Sequence, residues 1–288
     1  MRRSTLMTFA AALAAAASPA LAQDANTPPS MAGGQATDFG DHTTIGVGAV
    51  YLPDYEGSNN YRVEPAPLAI GAVKGFAFAL IGNRLSIDLI RDPKDSKYDF
   101  QLGPIGVVDF NRDNSHFTDA RVRALGKVGT AIELGGYAGI GKTGVITSPY
   151  DKLTASLSYR YDVSNVHNSG ILQPSINYLA PLSRKLAVGL FASAEHAGRG
   201  YATSYYTVSP AQSAASGLPV YYADAGWKDV SVGAVATVSI TGDLLHGFKL
   251  VGGGTYTRLM NGFADSPVVS IAGSRDQWIG ALGVAYTF

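Results

Sequence analysis

The chain has 288 residues, 22 basic and 22 acidic, with no cysteine and only 15% charged side chains. Against the roughly 25% of an ordinary globular domain, that is too little charge to cover a long soluble surface. The neutral balance argues against nucleic acid or another strongly anionic partner, and without cysteine no disulfide can hold the fold.

Arg2 and Arg3 precede an apolar run from Leu6 to Ala17, and Ser18-Pro19-Ala20-Leu21-Ala22 has the A-x-A form of a cleavage site. The run is too short to cross a bilayer, so residues 1–22 read as a secretory signal peptide. Its removal deletes two arginines and no acid, leaving a mature charge of about −2. Residues 23–41 are rich in Pro, Gly and small polar residues and read as a flexible periplasmic lead-in to residues 42–288. After Ala22 no apolar run approaches the roughly 20 residues of a membrane helix.

From Thr44 the side chains alternate, with Ile45, Val47, Ala49 and Tyr51 on one face and Gly46, Gly48 and Val50 on the other, until Pro53 stops the strand. A polar loop follows. Residues 67–73, 76–81 and 85–90 read as strands joined by tight turns at Lys74-Gly75 and Gly82-Asn83. If 76–90 is one bent element, the total falls from about twelve strands to ten. Beyond the turn at 92–96 comes a strand at 100–110, then a charged loop at 111–129 with one helical turn near 122–126. Ile132, Leu134, Ala138 and Ile140 alternate with Glu133 and Gly135, and Leu153, Leu157, Tyr159 and Tyr161 with Thr154, Ser156, Ser158 and Arg160. A dry core would make Glu133 and Arg160 costly, and a wet lumen removes that cost.

Strands at 172–180 and 186–194 share a short link, and residues 197–226 form the longest connection. There Ser209-Pro210-Ala211-Gln212 has the capping-box form with Pro at the first helical position, and Gly217 is placed to end the helix. Val230 to Ile240 alternates cleanly, residues 248–259 form the penultimate strand, and the last begins near Asp276. In that last strand Trp278, Leu282, Val284, Tyr286 and Phe288 share a bulky apolar face, with Ala281, Gly283, Ala285 and Thr287 opposite. A soluble sandwich would place charge on one of these faces; a lipid-facing strand does not. The expected fold is therefore an all-β, up-and-down antiparallel transmembrane barrel in the Gram-negative outer membrane, with lipid as its first partner. An even strand count puts both ends on the periplasmic side and the long links (53–64, 111–128, 197–226, 261–275) outside. The terminal aromatic resembles the signal through which barrel-assembly machinery recognises a last strand.

Candidate sites are weak. Gly136-Tyr137-Ala138-Gly139-Ile140-Gly141-Lys142-Thr143 matches G-x-x-x-x-G-K-[ST], but its glycines lie within an alternating strand and no helix start follows. Asp54 and Glu56 read as a solvated turn rather than paired acid-base carboxylates. His42, His116, His167, His196 and His246 show no metal-ligand spacing. His167-Asn168-Ser169 and Glu195-His196 hold hydrolase residue types, yet sequence neighbours cannot face one another as a triad. Tyr201, Tyr205, Tyr206, Tyr221 and Tyr222 read either as an interface girdle with loop packing or as a partner surface. No residue is assigned as catalytic, cofactor-binding or metal-binding.

The stretches Gly46-Val47-Gly48-Ala49-Val50-Tyr51-Leu52-Pro53-Asp54-Tyr55-Glu56-Gly57-Ser58 and Pro65-Ala66-Pro67, the long-loop run from Tyr201 to Pro219, and the aromatic end together resemble the MltA-interacting protein (MipA)/OmpV family of outer-membrane proteins. Tyr206-Thr207 stands where that family often has Phe-Gly. The resemblance implies a non-enzymatic scaffold for murein synthesis, joining a lytic transglycosylase to a bifunctional penicillin-binding protein. It also implies relatives described as surface antigens or adhesins, and it brings no catalytic residues. The lumen-facing Ser, Thr and Gly leave a small diffusion channel as the alternative, although about twelve strands enclose a narrow bore.

Overall fold

The computed structural model describes residues 42–91, 96–113 and 117–288. The leader, the lead-in and His116 lie outside them. Twelve antiparallel strands close into a barrel. In chain order they are β1 (Thr43–Pro53), β2 (Tyr61–Val73), β3 (Phe76–Ile81), β4 (Arg84–Ile87), β5 (Tyr98–Asp109), β6 (Ala131–Thr143), β7 (Lys152–Asp162), β8 (Gly170–Pro181), β9 (Leu186–Ala197), β10 (Gly226–Ser239), β11 (Gly247–Leu259) and β12 (Asp276–Thr287). Each strand pairs with its sequence neighbours, and β1 closes on β12 through the register Thr44 with Thr287 to Tyr51 with Gly280. The ten-strand alternative is thereby set aside. Lys74 and Gly75, both at positive φ (54° and 80°), make the two-residue turn that separates β2 from β3.

The alternation sorts as the sequence predicts. Val47, Leu157, Tyr159, Val232, Trp278 and Leu282 are exposed on the outside, while Thr154, Ser158, Arg160, Ser231 and Ala285 are buried inside. Lipid replaces water around this outer belt, so its apolar side chains need no soluble partner. Aromatic pairs mark its rims. Tyr51 stacks on Tyr61 and Tyr256 meets Trp278 at one end, each with centroids 4.9 Å apart; Phe248, Tyr286 and Phe288 cluster at the other. Among the described residues no helix is long and apolar enough to cross a membrane, so the strands alone span it.

The three longest links, 110–130, 198–225 and 260–275, all leave the barrel at the end opposite the one that holds both strand termini. The long ones fold into a cap with five helices, four more than the sequence predicts as such: α1 (Ala120–Ala124), α2 (Arg199–Tyr206), α3 (Pro210–Ser216), α4 (Asn261–Asp265) and α5 (Pro267–Ser270). The predicted helix is α3, with its Ser209/Gln212 capping box and Gly217 at φ 75°. α1 falls where the single helical turn was expected. The cap has its own apolar core. Tyr55, Phe117, Val122 and Leu218 pack in one cluster, and Tyr201, Tyr205, Tyr206 and Phe263 in another that reaches down to Ile171 and Leu259 on the barrel wall.

Candidate functional site: a buried charge cluster under the cap

Charge collects where the cap meets the lumen. Glu133 on β6, Arg160 on β7 and Glu195 on β9 face inward because each sits on the inner parity of its strand, and all are buried. Arg160 bridges the carboxylates, pairing with Glu133 through Nε and with Glu195 through Nη2 at 2.9 Å. Lys228 and its neighbour Asp229 both point inward, which a regular strand forbids. The register between β10 and β9 shifts between Trp227 and Asp229, and this bulge turns two consecutive side chains to one face.

From the cap, Glu56 reaches down to the same point. Its carboxylate pairs with Lys228 and accepts hydrogen bonds from the hydroxyls of Tyr201 (2.8 Å) and Tyr206 (2.6 Å) on α2. Burial, reinforced by Glu56, pushes both phenols well above their usual range, so they remain donors at any physiological pH. The Lys228 ammonium also lies 2.7 Å from Glu195 and 3.3 Å from Asp229, and 5.0 Å from the centre of the Tyr201 ring. The oxygens of Glu56, Glu195 and Asp229 converge within 4.8 Å, close enough to hold a cation. Lys228 supplies that cation itself.

Two expectations are corrected here. Asp54 and Glu56 are not a solvated turn: both are buried, Asp54 accepting from the Thr118 N–H at 3.0 Å. Nor do Glu133 and Arg160 rely on a wet lumen. They are dry and paired, the other arrangement that makes buried charge tolerable. The tyrosines divide. Tyr201, Tyr205 and Tyr206 fill the mouth of the barrel rather than girdling it, and Tyr222 is 70% exposed on the cap.

His167 and Glu195 take partners from other strands. His167 Nε2 lies 3.1 Å from Glu133, its ring boxed by Tyr201 and Tyr205 at centroid distances of 5.1 and 6.0 Å. Glu195 faces in, whereas His196 packs edge-on against Trp227 at 5.5 Å. His42 and His246 sit at the opposite end, beside the Phe288 carbonyl and the Tyr286 ring. Residues 136–143 lie inside β6, and a turn at Gly144 follows instead of a helix. The cluster is packed shut, so its chemistry is that of a fastening between cap and wall.

Cap residues tie the fastening together. Arg112, buried and pulled down to about 10 by desolvation, donates to the carbonyls of Tyr205 (2.8 Å) and Gly126 (3.2 Å). The Ser266 hydroxyl donates to the Tyr206 carbonyl at 2.6 Å, and the Tyr55 hydroxyl to the Ala272 carbonyl at 3.0 Å. Sequence reasoning missed Lys228 and Asp229, a pair of adjacent charges at the start of β10, where no run of alternation precedes them to show the shift.

The chain is similar to several solved outer-membrane proteins. The solved structures that are similar include a NanC porin (10% identity, 84% of this chain and 98% of that one, TM-score 0.47). A COG4313 outer-membrane channel from Pseudomonas putida F1 is similar at 12% identity, over 86% of this chain and 96% of that one, with a TM-score of 0.44. The CymD monoaromatic hydrocarbon channel is similar at 10% identity, over 88% and 90%, with a TM-score of 0.37. At such scores they carry no argument. No curated protein matches the chain by sequence. Residues 45–288 match the family profile described as MltA-interacting protein MipA, and the chain belongs to that family of outer-membrane barrels in Gram-negative bacteria.

Proposed function

We propose that this barrel is a non-enzymatic scaffold that holds a lytic transglycosylase of the MltA type at the inner face of the outer membrane and links it to a bifunctional penicillin-binding protein. The observation that carries this reading is the family match over residues 45–288, whose description names the interaction. The filled mouth supports a platform over a conduit, since α2 and the Glu56–Lys228 pair occupy the path a solute would take. A periplasmic enzyme meets the short turns. The turn between β6 and β7 offers Ile146 and Tyr150, the latter 75% exposed, as an apolar contact beside polar backbone.

The test is retention of a purified lytic transglycosylase by the full-length barrel in detergent, paired with a photocrosslinking side chain in cells. A crosslink from position 150 on the periplasmic turn, and none from position 222 on the outer cap, is the expected pattern. Failure of both retention and crosslinking overturns the scaffold.

A further inference from the structure

The barrel wall is incomplete at one place. β3 has six residues and β4 four, against eleven to fourteen in the other strands, so this hairpin turns at Gly82-Asn83 partway up the wall. β2 pairs with β3 only over residues 68–73, Pro67 meets the hairpin turn, and among the described residues 61–66 pair on the β1 side alone. Above the hairpin β2 and β5 face each other across the missing strands, roughly 14 Å from three strand spacings.

Both edges of this gap are finished beside the hairpin. The Gly82 N–H donates to the Pro67 carbonyl at 2.9 Å, so the backbone polar groups of residue 67 point at the gap, and by strand alternation those of residue 65 do too. Both positions are proline, which has no N–H to leave unsatisfied. Across the gap, Val108 donates to the Asn83 carbonyl at 3.0 Å, and the Asn83 side-chain amide donates to the Val108 carbonyl at 2.7 Å. A backbone edge in contact with hydrocarbon needs this kind of provision.

The gap leads into a cavity of about 500 Å³. Both edges of the gap line it, Pro65 and Pro67 on β2 and Val108 on β5, with Gly82 and Asn83 of the hairpin tip between them, and it reaches the inward-facing Val107, Phe191 and Val235. The cavity therefore meets the wall where β2 and β5 are unpaired. Val47 pairs with Val284, between the Tyr51 rim above and Tyr286 below, which places the opening at the depth of the acyl chains.

We propose that this opening is a lateral binding site for an acyl chain of a bilayer lipid, which enters from the membrane through the window between β2 and β5 and lies against Val107, Phe191 and Val235 in the lumen. The occupant follows from position. The outer lip is continuous with the lipid-facing belt, and the inner wall is apolar where most of the lumen elsewhere is polar. A pocket of this volume with an apolar lining suits one hydrocarbon chain.

The experiment places the full-length protein in nanodiscs containing a minor fraction of phospholipid with a diazirine midway along one acyl chain, followed by irradiation and peptide mapping. Adducts on Val107, Phe191 or Val235, in addition to the belt, are expected. Ala66→Trp, which projects into the lumen beside the window, is expected to abolish those inner adducts while those on Val47 and Val284 persist. Val235→Trp, from the opposite wall, serves if Ala66→Trp does not reach the compact, heat-modifiable form. Labelling confined to outward-facing side chains in the wild-type protein overturns the site, as does inner labelling that survives in a folded blocking variant. Inner adducts from a free fatty-acid diazirine, with none from the phospholipid, overturn the bilayer as source.

Discussion

At Glu195 two cations share one carboxylate, and both Arg160 and Lys228 are fully buried. A buried ion pair is weak evidence of net stability, but removing one member strands the others in a low-dielectric site. Glu195→Ala should therefore cost about 3–5 kcal/mol, read as a lowered urea midpoint for the barrel in lipid vesicles. Arg199→Ala, which breaks a solvent-exposed pair with Asp224 of similar length (2.8 Å), should leave that midpoint unchanged. Asp151 in the periplasmic turn is a third case. Burial alone would raise its carboxyl, but the Thr147 N–H, the Tyr178 hydroxyl at 2.7 Å and the N–H groups of Val145 and Ile146 hold it well below the usual carboxylate range. A depressed folded pKa means that the turn's order is fully present above the ordinary carboxylate pKa of about 4 and is lost as pH falls through the lower folded value. Amide exchange at Val145 and Ile146 should thus stay slow at pH 5 and, after correction for the intrinsic rate, lose protection only in stronger acid; loss already at pH 5 would contradict the assignment.

Among the elements, α3 rests on its cap more than on packing, since none of its residues is buried. Ser209→Ala removes the acceptor for the Gln212 N–H and should destabilise the helix by about 1 kcal/mol, seen as faster exchange within residues 210–216 while the barrel strands keep their protection. This helix was legible because its signals are local: a capping residue, a proline at the first position and a glycine that ends it. Most strands were legible for the same reason, β1, β6, β7, β10 and β12 declaring their outer faces by a period of two, whereas the short segments at 76–90 were too brief to show one. The partners of Glu56 were not, because a carboxylate in a polar turn looks solvated until Lys228, 172 residues away, is brought beneath it. The bulge at Lys228 and Asp229 was equally silent, since one inserted residue breaks the alternation only where a strand begins. Likewise the short β3–β4 hairpin could be counted from the sequence, but the gap above it depends on how far β2 and β5 extend beside it.

For the whole molecule, the cap closes over the mouth of the barrel. Its helices are each eight residues or fewer, too short to hold themselves in place, so they depend on the apolar contacts of α2 and α4 and on the anchor that Tyr201 and Tyr206 make to Glu56. With that anchor intact, a planar bilayer containing the protein should show no steady conductance. Glu56→Ala removes the acceptor for both phenols and one counter-charge of Lys228 together, so α2 should lift at intervals and discrete openings should appear while the strands remain paired. A constant wild-type current would mean that solutes bypass the cap. Silence in a folded Glu56→Ala barrel would instead mean that the aromatic packing of Tyr206 on Phe263, at a centroid distance of 5.0 Å, suffices to close the mouth.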